Sequence, residues 1–456
     1  MLRMAQELDI DEDEALKAMA DNIVPDLGVL KTYPEALIDK RNLSFINGMS
    51  ANERFGALGN WRRMGLDGID DIEEPGTYIT TVINNRADRV SRSRVFASMM
   101  IEDIAADCHV LIGSNLSGFE NYLEESWKSF SAKLSLQASE AGSAQEIVMQ
   151  YAKRFRIIRS TDQLRVRLDI MLGALDVAAE KRKRAMASCF NLSALEELLS
   201  DIPEVLRFYR RDKQEYDELQ VLLEMLQAQP KKIAYDEVFK EQLWEWFKRR
   251  VVVVEDFHAT GNEIIKVIAH HTPFGMHNRI IGMQNIKGTG LDFVYRWVAW
   301  GKCYQYCQKI QSGDSNSIRQ GVENLAAFDE HGPLTFSLVK ATVEIAKSSV
   351  ATQSEYYQAQ IQIIEGRLKI STDNLAEMDI QVKPTKASSR YLSKAVEILE
   401  SFLDAGDAVK RRKKANRIYA DLVTHRISHK RASQELQEIT NRQKGGWLYN
   451  RYFKKR

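Results

Sequence analysis

The sequence predicts a mainly α-helical protein, made of bundle-like domains with long antiparallel helices and with little or no β-sheet. Glycine and proline, which interrupt helices, number only 24 and 8 among 456 residues. Four segments carry the Ser/Thr-x-x-Glu/Gln pattern of a capped helix start, and two longer segments space their apolar residues mostly three or four positions apart. These observations favour helices over strands along most of the chain.

The four capping patterns place helix starts in the first half of the chain. They are Ser50-Ala-Asn-Glu53, Ser143-Ala-Gln-Glu146, Ser160-Thr-Asp-Gln163 and Ser193-Ala-Leu-Glu196. In such a box each of the two end side chains accepts a hydrogen bond from the backbone N–H of the other end. We therefore predict an N-terminal helical region over residues 1–230, which ends at a linker near residues 229–234.

Strand-forming residues are confined to two short stretches. Four consecutive valines, Val251–Val254, favour a strand because they are β-branched, and Asn278–Gly282 is a second candidate. The flanks of the valine run, Leu243–Lys248 and Phe257–Ala269, have helical patterns. We therefore predict that helix continues through the valines, and no sheet is built on either stretch.

The segment from Pro333 to Ile370 predicts a coiled-coil-like helix that packs lengthwise on a partner helix. Its apolar positions, mostly three or four residues apart, are Phe336, Val339, Val343, Ala346, Val350, Tyr357, Ile361, Ile364 and Leu368. The partner helix belongs either to the same chain or to a second copy. This segment closes a central helical region, predicted over residues 231–380, which includes a stretch rich in His, Trp and Gly.

The C-terminal region, predicted to be helical over residues 381–456, is strongly basic. Residues 384–456 contain 18 Lys or Arg against 7 Asp or Glu, although the whole chain has a net charge of only +1. Its densest cluster is Lys410, Arg411, Arg412, Lys413 and Lys414. Such a cluster binds nucleic acid, a protein partner or the acidic body of the same chain, and an anionic membrane is the weaker alternative.

The composition also predicts a compartment. Four cysteines in 456 residues do not form a disulfide framework, and no apolar run approaches the ~18 residues that span a bilayer. The first residues turn acidic at once, unlike a secretory signal. We therefore expect a cytoplasmic protein.

The segment Trp244–Cys307 is the first candidate site. Glycines around Lys287 leave backbone amides open to an anion, and a helix that begins near Gly290 would direct its free N–H groups to the same place. We predict a small anionic ligand bound by Lys287, Gly288 and Gly290, with Arg279 or Arg296 as the second cation. Lysine precedes glycine here, so the loop does not match a Walker A motif. A tight turn between two helices is the alternative interpretation.

The same segment holds weaker candidates for catalysis and for metal binding. His258, His277 and Asp292 are the candidate acid–base groups. Glu255 and His258 have the i, i+3 spacing of carboxylate-bridged metal sites, and His270 is a third candidate ligand. Because no second Glu-x-x-His pair occurs in the chain, we predict no metal, and the sequence names no cofactor.

These patterns predict a helical interaction or regulatory protein with an anion-binding loop at residues 277–296. Its partner would be another protein or a second copy of the chain. The alternatives are a nucleic-acid-binding protein that acts through its basic C-terminal region, and an enzyme or ligand sensor with its pocket at residues 255–296.

Overall fold

The computed structural model describes residues 28–136, 143–228, 234–256, 259–328 and 331–376, together with residues 11, 417, 418, 431 and 435. Within these ranges the chain forms a seven-stranded sheet with helices on both faces. The predicted mainly α, bundle-like fold with little or no sheet is therefore wrong, and the protein has an α/β fold.

Five of the seven strands run parallel to one another. In chain order the strands are β1 (Lys31–Thr32), β2 (Ala36–Ile38), β3 (Arg41–Asn47), β4 (Thr77–Asn85), β5 (Cys108–Gly113), β6 (Val251–Val253) and β7 (His277–Met283). Their order across the sheet is β1-β3-β7-β4-β5-β6, and β2 also pairs with β3. β1 and β2 run antiparallel to β3, whereas β3, β7, β4, β5 and β6 run parallel to one another.

Fourteen α-helices lie within the described ranges. They are α1 (Arg54–Arg63), α2 (Val90–Glu102), α3 (Leu116–Ser131), α4 (Ala144–Arg154), α5 (Thr161–Ala174), α6 (Ala179–Ala187), α7 (Leu192–Leu198), α8 (Pro203–Ala228), α9 (Ala234–Lys248), α10 (Gly261–His271), α11 (Thr289–Gln311), α12 (Ser315–Ala326), α13 (Pro333–Ser348) and α14 (Glu355–Ala376). No helix of these ranges is both long enough and apolar enough to cross a membrane.

The helices divide between the two faces of the sheet. On the first face, α1–α4, α8 and α9 share a core with strand residues such as Ile79 and Ile281. On the second face, α10–α14 share a core with Tyr78 and Ile280. Neighbouring residues of one strand thus belong to opposite cores, as the period of two requires. A third apolar core lies among α5, α6, α7 and α8.

The central strands were not predicted because helices cover them on both faces of the sheet. In β4 every residue after Thr77 is buried, and in β5 every residue before Gly113 is buried. A strand covered on both faces shows no alternation of polar and apolar residues, so periodicity does not distinguish it from a buried helix. The predicted continuation of helix through Val251–Val254 is also wrong, because Val251–Val253 form β6.

The predicted coiled-coil-like helix is a hairpin of two helices. α13 ends at Ser348, a short 3₁₀ turn covers Val350–Thr352, and α14 begins at Glu355. α13 and α14 pack on each other, and α13 also packs on α11. Six of the predicted seam residues are buried there: Val339, Val343, Ala346, Ile361, Ile364 and Leu368. The partner of this seam therefore lies within the same chain.

Candidate functional site at the carboxyl edge of the sheet

The carboxyl ends of β4 and β7 are the place where the connections of the sheet diverge. The two strands are adjacent and parallel, with Thr80 paired to Ile280. β4 leads into α2 on the first face, whereas β7 leads into α11 on the second face. In open α/β sheets ligands bind at such a divergence. We call the residues around it, 84–93, 114–115 and 284–290, the switch-point site.

Two consecutive asparagines at the end of β4 organise the loops of this site. The Asn84 side chain is buried, and its Nδ2 donates to the carbonyl oxygens of Asn285 at 2.9 Å and of Lys287 at 2.7 Å. The Asn85 Nδ2 donates to the carbonyl oxygens of Ser114 at 2.8 Å and Asn115 at 3.2 Å. Each asparagine thus fixes the loop that follows one neighbouring strand.

Gln284 connects the end of β7 with the start of α2. Its side chain is fully buried, and its Nε2 donates to Asn85 Oδ1 at 3.0 Å and to Ser93 Oγ at 3.4 Å. Its Oε1 has no hydrogen-bond partner among the described residues. Its φ of 79° lies in the left-handed region, which is uncommon for a residue other than glycine. A strained residue with an unsatisfied buried acceptor is typical of a functional position.

The loop after β4 brings arginines to the same edge. Arg86 and Arg89 both approach Asp88, at 2.6 Å and 3.5 Å, and Arg92 Nη1 lies 3.5 Å from Asn285 Oδ1. Burial lowers the pKa of Arg86; Asp88 raises it, and the nearby Arg89 and Arg92 lower it further. The three arginines therefore give the site an excess of positive charge.

Three helices begin at this edge without a side chain that caps them. The N-cap residues are Arg89 in α2, Asn115 in α3 and Gly288 in α11. No side chain at these positions accepts a hydrogen bond from a backbone N–H of the first helical turn. In contrast, α4, α5 and α10 begin with complete capping boxes. Uncapped helix starts offer free N–H groups and the positive end of the helix dipole to an anion.

The predicted anion loop forms part of this site. Gly288 is the N-cap of α11 with a φ of 59°, and Gly290 is buried against Asn84. Lys287 is exposed on the same loop. Of the two predicted second cations, Arg279 donates from its Nη2 to the Met64 carbonyl oxygen at 2.7 Å. Arg296 lies 3.6 Å from Asp292, and both follow the loop within α11.

The remaining candidates do not meet at one place. His277 stands at the amino end of β7 and contacts Ser44 and Glu35. Its distance from the carboxyl end of that strand is roughly 20 Å at ~3.3 Å per residue. Asp292 accepts a hydrogen bond from the Gly261 backbone at 2.5 Å, which joins the starts of α10 and α11. These acid–base roles stay predictions.

The candidate metal ligands are also spread apart. Glu255 follows β6 and is exposed. His270 lies at the end of α10, where its side chain is 3.7 Å from Glu204 of α8. His258 lies outside the described residues, as does the basic cluster Lys410–Lys414. In the part of the chain that the structure describes, no group of three or more His, Cys, Asp or Glu side chains could hold a metal ion.

A separate groove of about 510 Å³ lies along α8 and α9, away from the sheet edge. Its cations are already neutralised, since Arg210 pairs with Glu196 at 2.6 Å and Lys213 pairs with Asp217 at 2.7 Å. The groove therefore lacks the excess charge of the switch-point site.

The residues that organise the site were not predicted from the sequence; they are Asn84, Asn85, Arg86, Arg89, Arg92 and Gln284. The available signal was the run Asn84-Asn-Arg-Ala-Asp-Arg89 directly after the β-branched stretch Tyr78–Ile83. Polar side chains that follow a strand mark the carboxyl edge of a sheet. Without a predicted sheet, this polar run could not be recognised as the end of a strand.

Comparison with known proteins gives a partial match. The family model of the poly-γ-glutamate synthase CapB C-terminal domain matches residues 32–194, which include β2–β5 and α1–α6. The PGA synthase CapB of Bacillus subtilis (strain 168) is 33% identical over 124 residues, 27% of this chain and 30% of that protein. The capsule biosynthesis protein CapB of Bacillus anthracis is 30% identical over 124 residues, 27% of this chain and 25% of that protein.

The chain therefore spans less than a third of the length of the curated relatives it matches. No solved structure matches it. The match and the mixed sheet overturn the predicted helical interaction or regulatory protein, and they overturn its nucleic-acid-binding alternative. The predictions of an all-α helical bundle and of a protein built for protein–protein interaction are wrong for the same reason.

Proposed function

We propose that this chain acts in the synthesis of poly-γ-glutamate and that its switch-point site binds anionic glutamyl groups. The observation that carries the proposal is the match over residues 32–194. That range contains β4, the Asn84–Asn85 pair and the arginines of the following loop. The matched part thus includes one half of the site.

The chemistry of the polymer suits the charge of the site. Each unit of a γ-linked glutamate chain keeps its α-carboxylate free, so the chain is a polyanion with one negative charge per unit. Carboxylates are stabilised by arginine side chains and by backbone N–H groups at helix starts. Arg86, Arg89 and Arg92 supply the first kind of donor, and α2, α3 and α11 supply the second.

The β7–α11 loop completes the site from outside the matched range. Asn84 holds the carbonyl groups of Asn285 and Lys287, which fixes the path of the loop toward α11. In this proposal Lys287 and the amides of Gly288 and Gly290 bind one carboxylate. Arg279 and Arg296 stay predictions as second cations.

Isothermal titration of the full chain with a γ-linked glutamate oligomer tests this proposal. We expect saturable binding that weakens with salt, and we expect Lys287→Ala to weaken it by about tenfold, the effect of one charge-assisted hydrogen bond. The control is Arg62→Ala, because Arg62 is exposed at the far end of α1.

Two comparisons decide the outcome. An α-linked glutamate oligomer of equal length presents its carboxylates on a different backbone, and we expect it to bind more weakly than the γ-linked one. Absence of binding, or equal affinity for both linkages, would count against a role in poly-γ-glutamate synthesis.

A further inference from the structure

The first turn of α2 has the opposite charge to the one that stabilises a helix start. Arg89 is its N-cap and Arg92 lies in its first turn, which contains no acidic residue. Arg86 lies one turn earlier, since the Arg89 backbone N–H donates to the Arg86 carbonyl oxygen at 3.2 Å. The positive end of the helix dipole repels cations, so Arg89 and Arg92 destabilise the unliganded helix.

Most of the other described helices follow the usual rule, whereas α1, α3, α7, α12 and α13 also have no acidic residue in the first turn. Acidic residues occupy the first turns of the following helices: Glu146 in α4, Asp162 in α5, Glu204 in α8, Glu263 in α10, Asp292 in α11 and Glu355 in α14. α2 combines an arginine N-cap with an arginine in its first turn, and this cationic helix start lies in the switch-point site.

The neighbouring side chains leave this charge largely uncompensated. Asp88 is the carboxylate that approaches the cluster, and it serves both Arg86 and Arg89. Arg92 contacts a neutral amide oxygen of Asn285 instead. Three guanidinium groups thus share one carboxylate within this part of the structure, which leaves a net charge of about +2.

Gln284 gives an independent indication of a ligand. It contacts Ser93 in the first turn of α2, and its buried Oε1 has no partner among the described residues. An unsatisfied acceptor on a residue that contacts the first turn of α2 fits a ligand that carries an N–H group as well as oxyanions. A γ-linked glutamyl unit has both, in its α-carboxylate and its amide.

We propose that Arg86, Arg89 and Arg92 form an oxyanion receptor at the start of α2, which binds carboxylates of a γ-glutamyl chain. The glutamyl identity of the ligand rests on the proposed function, whereas the receptor itself rests on charge and geometry. Arg89 and Arg92 destabilise the free protein, and the bound oxyanion removes that destabilisation. Loss of either arginine should therefore have opposite effects on stability and on binding.

Thermal unfolding of the full chain at low salt is the first test. We expect Arg89→Gln and Arg92→Gln each to raise the Tm of the free protein by roughly 1–3 °C, and we expect the gain to shrink as salt screens the charges. The matched control is Arg62→Gln. Arg62 lies in the last turn of α1, where a cation is favourable, so its loss should leave Tm unchanged or lower it.

Ligand binding is the second test, with a γ-linked glutamate oligomer and inorganic phosphate as probes at constant ionic strength. We expect the oligomer to raise the Tm of the natural protein, and Arg92→Gln to weaken its binding by about tenfold while Arg62→Gln does not. This result supports the receptor and its glutamyl ligand.

The probes also separate the two proposals. Binding of phosphate alone, with the same dependence on Arg92, supports the receptor and contradicts its glutamyl ligand, so the proposed function loses this support. Binding of neither probe overturns the receptor. So does an oligomer affinity that is the same in the natural protein, Arg89→Gln and Arg92→Gln.

Discussion

Gly290 and Asn84 lie so close together that position 290 has no room for a side chain. A Cβ atom at Gly290 would stand 2.3 Å from Asn84 Nδ2 and 2.9 Å from the Asn285 carbonyl oxygen. The same Nδ2 donates to that carbonyl oxygen and to the one of Lys287. The glycine therefore allows the hydrogen bonds that shape the anion loop.

Gly290→Ala should lower the free energy of unfolding by about 1–3 kcal/mol, because overpacking displaces the Asn84 side chain. Urea denaturation measures this change. Gly301→Ala is the matched control in the same helix, since its Cβ would meet only Tyr33 Cδ1, at 3.7 Å. Alanine is favoured over glycine in a helix by up to ~1 kcal/mol, so this variant should be stabilised. If both substitutions changed the free energy of unfolding in the same direction, the close packing at Gly290 would be contradicted.

At the residue scale, composition singled out one loop of the candidate site, and anion binding by that loop stays a prediction. Glycine, lysine and helix-start chemistry around Lys287 pointed to the loop that the structure places at the sheet edge. Asn84, Asn85 and Gln284 act through contacts with residues up to 203 positions away along the chain, so the polar run after Ile83 marks a sheet edge but does not reveal these contacts. A pairing of strands has to be known before such residues can be recognised.

The helices and strands of this chain differ in how far a short stretch of sequence determines them. The capping boxes predicted at Ser143 and Ser160 are confirmed, because a cap needs only four consecutive residues. A cap at Ser50 is wrong, since α1 starts after Glu53 without a side-chain cap. The strands depend on neighbours distant in sequence, and β4 and β5 are fully covered by helices. Local patterns therefore indicated helices and missed the sheet.

A chain of buried ion pairs joins the helices α5 and α8 to the start of β5. Asp107 directly precedes β5, and its carboxylate lies 2.7 Å from Arg156 Nε and 3.5 Å from Arg167. Arg167 also contacts Asp212 of α8 at 3.3 Å. The Asp107 Oδ2 accepts the Ile79 backbone N–H as well, at 2.9 Å. These side chains are at least nine-tenths buried, so loss of one partner would leave the other charge buried without a counter-ion.

Asp107→Ala should lower the free energy of unfolding by about 3–5 kcal/mol, because Arg156 would stay buried without a counter-charge. The control is Asp176→Asn, which removes the charge of the exposed pair with Lys40 and keeps a residue that tolerates the left-handed φ of 53°, and an exposed pair contributes about 1 kcal/mol or less. Urea denaturation of both variants compares the two effects. If the Asp107 and Asp176 variants lost equal free energies of unfolding, the buried pairs would not join α5 and α8 to β5.

The sheet as a whole is assembled from distant parts of the chain. β3 and β4 do not pair with each other, and each pairs instead with β7. β7 and its helix α11 lie beyond residue 194, where the match to the CapB C-terminal domain ends. The matched range therefore lacks the strand that joins its own two halves.

A fragment of residues 32–194 should not fold by itself, because without β7 the strands β3 and β4 have no connection within the sheet. Circular dichroism during heating should show no cooperative transition for the fragment, whereas the full chain should unfold cooperatively. A fragment with a sharp transition and a dispersed amide NMR spectrum would contradict this dependence on β7.

The late position of β7 also affects folding during synthesis. About 190 residues separate Asn85 from His277, and a ribosome that adds ~5–20 residues per second needs roughly 10–40 s to make them. For that time the nascent chain holds two apolar strands whose hydrogen-bonding edges have no partner. Such edges are templates for aggregation, so cells that make this protein should depend on chaperones that shield the emerging chain until β7 leaves the ribosome.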